Sequence, residues 1–180
     1  MAINKIISKK ERNTKPMKRS ISLLLLACLC LGLLCACGGG DSSEYRTDVS
    51  VNDIAAAVDE AIEAGDNMAS VDANYILNRM EMDVSDYAEY VVKINAFGAN
   101  VDEYGIFKAT DEAQAAEIAS AVEAYLQMRN DTWMTEYMPE ERPKMEAASY
   151  QTAGLYVMYA VLWDEPKAAA FEAFTSALQA

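Results

Sequence analysis

The chain has 180 residues, with 15 Lys plus Arg against 28 Asp plus Glu, no His and four Cys. The lack of His excludes an imidazole base, a Ser-His triad and a His-ligated metal centre. All four cysteines (Cys28, Cys30, Cys35, Cys37) fall in the first 37 residues, so the remainder has no thiol nucleophile, disulfide or thiolate zinc site.

The formal charge of −13 conceals a split. Up to Arg19 the only acid is Glu11, whereas from Cys37 onward eight basic residues face 27 acidic ones, a net charge of −19. Such a surface repels nucleic-acid phosphate and anionic headgroups, so nucleic acid is not an expected partner. It suits a basic partner, or simply a solvated surface that keeps the protein in solution.

The first element is an apolar run of 14 residues, ISLLLLACLCLGLL (21–34), behind a basic stretch. That is shorter than the roughly 20 residues of a spanning helix and matches a signal-peptide core. Its end, Leu34-Cys35-Ala36-Cys37-Gly38, is similar to a bacterial lipobox: Leu at −3, a small residue at −1, then the Cys that becomes diacylated. Residues 1–36 are therefore expected to be a lipoprotein signal peptide, with Met17 a tidier start than Met1. Residues 37–49, in which three glycines follow Cys37, are expected to form a lipidated flexible tether. Cys37 becomes the lipid-bearing N-terminus, held on the outer face of the cytoplasmic membrane by enough acyl chain for stable attachment. Residues 50–180 read as one domain.

Ser50 is placed to cap a helix with apolar residues at three- and four-residue steps from Val51 to Ile62, and Gly65 to end it. A short helical piece is expected over 72–80. At 89–95 the period changes to that of a strand with one wet face. Residues 98–100 turn the chain into a returning strand over 104–109. Asp111 begins a long helix, with Gln114 in capping-box spacing, that frays between Asn130 and Pro139. An edge strand is expected over 145–152. LYVMYAVLW (155–163), without a charge, suits a central strand, and Asp164-Glu165-Pro166 starts the last helix. The order α-(α)-β-β-α-β-β-α predicts an α+β fold: an antiparallel sheet of about four strands in two hairpins, with helices mainly on one face. Asp111-Glu112-x-x-Ala115-Ala116 recurs 53 residues later as Asp164-Glu165-x-x-Ala168-Ala169. Two hairpin-helix units packed about a pseudo-twofold axis, or two alanine-rich helices capped alike, both account for this.

Three stretches carry a family resemblance. They are Glu103-Tyr104-Gly105-Ile106-Phe107-Lys108-Ala109 followed by Asp111; Tyr137-Met138-Pro139-Glu140-Glu141 with Pro143-Lys144-Met145; and Gly154-Leu155-Tyr156-Val157. Over about 73–174 the chain resembles a family of uncharacterised bacterial lipoproteins, found mainly in Firmicutes and known as domain of unknown function number 4358. The resemblance implies localisation and domain identity, and no catalytic residue.

Phosphate-binding glycine loops, calcium loops and the Ser-x-x-Lys spacing are absent from the mature part, so no catalytic residue, metal or cofactor is expected. Residues 132–144, TWMTEYMPEERPK, instead suggest a binding surface of Trp133, Tyr137, Pro139, Glu140 and Glu141. Aromatic and Met side chains recur at recognition sites, the prolines stiffen the segment, and the two acids attract a cationic group. The alternative is that Trp133 and Tyr137 continue the apolar stripe of the long helix. The expected function is a membrane-tethered, non-enzymatic module that binds an envelope protein or a small ligand. A carboxylate-using envelope hydrolase and a structural or assembly component are the competing readings.

Overall fold

A computed structural model of the chain describes residues 45–97, 100–134 and 136–179. Cys37, the expected signal peptide, most of the expected tether, and Gly98 and Ala99 of the expected turn lie outside the described residues.

Helix α1 (Val51–Ala61) begins where Ser50, in extended backbone, accepts the Asn52 N–H at 3.1 Å. It stops before Gly65. Glu63 takes the left-handed conformation (φ +52°), and the N–H groups of Glu63 and Ala64 bond the carbonyls of Glu60 and Asp59. This is a Schellman closure with glutamate in the usual glycine position. Strand β1 (Met68–Ser70) follows, then helix α2 (Ala73–Met80), whose cap Asp72 accepts the Tyr75 N–H at 2.8 Å. Strands β2 (Glu89–Asn95) and β3 (Glu103–Lys108) lead to helix α3 (Glu112–Asp131). Asp111 accepts the Gln114 N–H at 2.8 Å, and the Gln114 carboxamide oxygen accepts the Thr110 N–H at 2.8 Å. The expected capping box thus forms, reaching back one residue further than usual. A short helix α4 (Arg142–Glu146), strands β4 (Ser149–Ala153) and β5 (Tyr156–Val161), and helix α5 (Asp164–Leu178) complete the order.

The fold is α+β, with one antiparallel sheet in the order β1-β2-β3-β5-β4. It has five strands rather than about four, because the three-residue β1 pairs with the end of β2 and is too short to show a period. The helices are not mainly on one face. Helices α1 and α5 cover the face that carries Val91, Tyr104, Ile106, Tyr156, Met158 and Ala160. Helices α2 and α3 cover the other, with Val92, Phe107, Val157, Tyr159 and Val161. The charges on β2 read as a wet face because sequence cannot show their partners. Lys93 is ion-paired with Asp59 of α1, while Glu89 pairs with Lys108 at 3.0 Å and accepts the Val51 N–H at 3.0 Å. Central β5 is buried along its whole length, as its uncharged run requires.

Three further expectations are corrected. Residues 145–148 belong to α4 and a turn, so the edge strand starts at Ser149; Pro143 sits in the first turn of α4, where a helix tolerates it. Residues 45–49, read as tether, are held by the fold: Arg46 N–H donates to the Leu178 carbonyl at 2.8 Å, and the Tyr156 hydroxyl donates to the Val49 carbonyl at 2.6 Å. The pseudo-twofold arrangement also fails. The 53-residue offset places β3 on β5, but Tyr104 faces α1 while its counterpart Val157 faces α3. The two connections then carry α3 and α5 to opposite faces, which a twofold axis normal to the sheet forbids.

The Glu89 contacts give a pH prediction. Burial works to raise this carboxyl, but Lys108 and the Val51 N–H outweigh it, so its pKa lies below the ordinary value. A depressed folded pKa contributes stability above the unfolded value of about 4.3, lost as the pH falls through the folded one. Glu89→Gln is therefore expected to cost about 1 kcal/mol at pH 7, the pair being partly open to water. Thermal melts of the two proteins should converge below about pH 4.

Candidate functional site

The end of the sheet where β2 finishes, β3 starts and β5 finishes gathers the segments that sequence reading singled out. Two internal polar assemblies build it. Glu103, the first residue of β3, is buried and accepts the hydroxyls of Tyr125 on α3 (2.7 Å) and Tyr159 on β5 (2.5 Å), while Arg129 of α3 ion-pairs with its other oxygen. Burial, reinforced by the Glu103 charge, pushes both phenols above their ordinary range. Burial works against the Arg129 charge, but Glu103 more than offsets it and its pKa is raised. This assembly ties the C-terminal part of α3 to the start of β3.

The second assembly is centred on Lys144, only 2% exposed. Its ammonium lies 2.5 Å from Asp102 and 2.7 Å from Glu141, with the Trp163 ring centroid 5.1 Å away. Glu141 also accepts the Val101 N–H at 3.0 Å. One ammonium thus joins the β2–β3 connection, the turn Pro139–Glu141 and the end of β5. Met138 enters that turn left-handed, at φ +48°.

These staples decide where the expected binding residues stand. Glu141 is buried and fully engaged, so it belongs to the scaffold and not to the surface. Helix α3 ends at Asp131, so Tyr137 does not continue its stripe. Trp133 packs partly against the α3-side core, with its indole N–H buried and without a partner among the described residues. Tyr137, its ring 6.5 Å from that of Trp133, is 59% exposed, and Pro139 and Glu140 are exposed beside it. Sequence reading missed two members of this end: Phe97, 65% exposed, and Trp163, 47% exposed. Together they flank a groove of about 350 Å³ bordered also by Glu63, Asn95 and Asp102. A phenylalanine next to a glycine turn, and a tryptophan closing an uncharged strand, were the available signals. Four of the five large apolar side chains exposed among the described residues (Phe97, Met134, Tyr137 and Trp163) lie at this end.

Glu103 and Glu141, the buried carboxylates among the described residues, are held by donors of the fold itself and line neither this groove nor the others described below. Among the described residues no group of three or more acids is arranged to hold a metal ion. From Tyr45 onward seven of the eight basic residues are ion-paired, so the free charge on the surface is almost wholly acidic.

Fold and site together define an α+β domain with a sheet covered on both faces, polar staples inside and apolar side chains collected at one end. A protein-family model described as a domain of unknown function (DUF4358) matches residues 60–162, and the chain belongs to that family. The match starts earlier than the resemblance read from the sequence and stops before α5. No curated protein and no solved structure matches the chain. The residues that carry the resemblance have structural work to do: Glu103, Glu141 and Lys144 belong to the staples above, and Lys108 pairs with Glu89. Gly105 leaves room for Tyr159, since a Cβ there would stand 2.3 Å from the Tyr159 ring.

Proposed function

We propose that this protein is an extracytoplasmic lipoprotein, anchored through Cys37 to the outer face of the cytoplasmic membrane, whose domain binds an envelope protein or a small ligand without catalysing a reaction. The lipobox and the short apolar run support the anchor. Among the described residues no helix is long and apolar enough to cross a membrane. The observation that carries the binding reading is the collection of Phe97, Met134, Tyr137 and Trp163 at one end, beside exposed Pro139 and Glu140. Large exposed apolar groups cost solvation unless a partner covers them, and aromatic residues dominate binding hot spots. The hydrolase reading has no comparable support, because the buried carboxylates serve as ion-pair partners.

The test is crosslinking on intact cells followed by identification of what is captured. Phe97→Ala with Tyr137→Ala should abolish specific capture and shift the thermal midpoint by no more than a few degrees, since both rings face solvent. Cys37→Ala should release the protein from the membrane fraction. Undiminished capture by the double variant, or continued partition of Cys37→Ala with detergent after signal cleavage, sinks the corresponding half of the proposal.

A further inference from the structure

Strand β4 is an open edge of the sheet. It pairs with β5 on one side, and among the described residues no backbone bond reaches its other side. Its sequence, Ser-Tyr-Gln-Thr-Ala, has none of the devices that blunt natural edges: no Lys, no Pro and no inward charge. The opposite edge, β1, is protected by being three residues long. Gln151 and Thr152 of β4 are exposed.

A groove flanks β4 on each face. On the α3 side one of about 290 Å³ runs between Tyr150 and Glu123, Gln127 and Asn130. On the α5 side one of about 500 Å³ runs between Gln151 and Phe171, Glu172 and Thr175. Glu123 and Glu172, one beside each groove, are exposed and carry no ion pair among the described residues. Successive side chains of an added strand would point alternately into the two grooves. We infer that β4 is a docking edge for an extended, basic segment of a partner protein, which adds a sixth strand through main-chain hydrogen bonds and places cationic side chains toward Glu123 and Glu172. Charge selects this occupant. A second copy would bring another chain with net charge −19 from Cys37 onward against the same acidic flanks. Neither groove shares a lining residue with the one at the aromatic end, so the two readings stand or fall independently.

The probe is a seven-residue peptide, Lys-Lys-Val-Thr-Lys-Lys-Val, whose lysines fall two on each face of a strand, titrated onto the detergent-solubilised full chain and followed by backbone hydrogen exchange. Binding should slow exchange selectively at 149–153. Methylating alternate peptide nitrogens removes strand pairing but leaves the charge, and should weaken binding at least about tenfold. Glu123→Lys with Glu172→Lys should weaken it by a similar factor, about tenfold, while Phe97→Ala with Tyr137→Ala leaves it unchanged. A peptide with Glu in place of Lys should not bind. The inference is overturned if the methylated peptide binds equally well, if protection appears elsewhere, or if the Lys peptide does not bind. It is also overturned if the free chain sediments as a dimer with 149–153 already protected.

Discussion

Replacing Glu103 by Ala is expected to lower the thermal midpoint by more than about 10 °C, corresponding to roughly 3–5 kcal/mol. The carboxylate accepts from Tyr125, Tyr159 and Arg129, and the Arg129 side chain is only 10% exposed. Truncation leaves a nearly buried guanidinium without its counter-charge and two phenols without their acceptor. Glu103→Gln keeps the shape and one acceptor oxygen and should lose about half as much. Removing the whole assembly at once (Glu103→Leu, Arg129→Met, Tyr125→Phe, Tyr159→Phe) should recover most of the loss, since apolar groups of similar volume replace a buried ion pair at little cost. Alkaline pH gives an independent reading. Both phenol pKa values are raised in the fold, first by burial and then by Glu103. Their contribution is intact below the unfolded value of about 10 and declines as the pH rises beyond it. The parent should therefore lose stability above about pH 10 more steeply than the four-residue variant. Melting curves across pH check both; a Glu103→Ala protein within a few degrees of the parent would show that the assembly is peripheral.

Gly105→Ala is expected to cost about 3 kcal/mol, and Gly105→Val to prevent folding. The glycine lies on β3, hydrogen-bonded between β2 and β5, so the backbone cannot move aside. Its added Cβ would stand 2.3 Å from Cε1 of Tyr159 and 3.0 Å from Cγ2 of Val92. Tyr159 cannot swing away without surrendering its bond to Glu103 and its contacts with the Phe107 and Tyr125 rings. The clash is specific, so Tyr159→Val combined with Gly105→Ala should cost less than the sum of the separate effects. Denaturant unfolding of the two single variants and the double measures the coupling; additive losses would mean that the glycine is needed for some other reason.

These expectations bear on what could be read in advance. Caps, periods and turn residues are local, and they were legible: Ser50, Asp72 and Asp111 begin their helices, and β2 spans the expected seven residues. The uncharged run 155–163 marked the central strand because only burial on both faces tolerates nine residues without charge. Strand β1 was illegible because three residues carry no period. Helix α4 was hidden because a five-residue helix rests on packing more than on propensity.

Periodicity, charge and composition by themselves determined the broad class: an α+β chain that is acidic from Cys37 onward, without histidine and without a thiol after Cys37. Tertiary structure alone decided the roles of its charges. Glu89 and Lys93 looked like a wet face, and Glu141 looked like a lure for cations. Each is instead partly or wholly enclosed by a partner 3 to 34 residues away. Sequence spacing predicts which residues share a helix or a strand face; it cannot predict which element will later cover that face. That covering placed helices on both sides of the sheet, turned family-motif charges into internal staples, and left Phe97, Tyr137 and Trp163 outside.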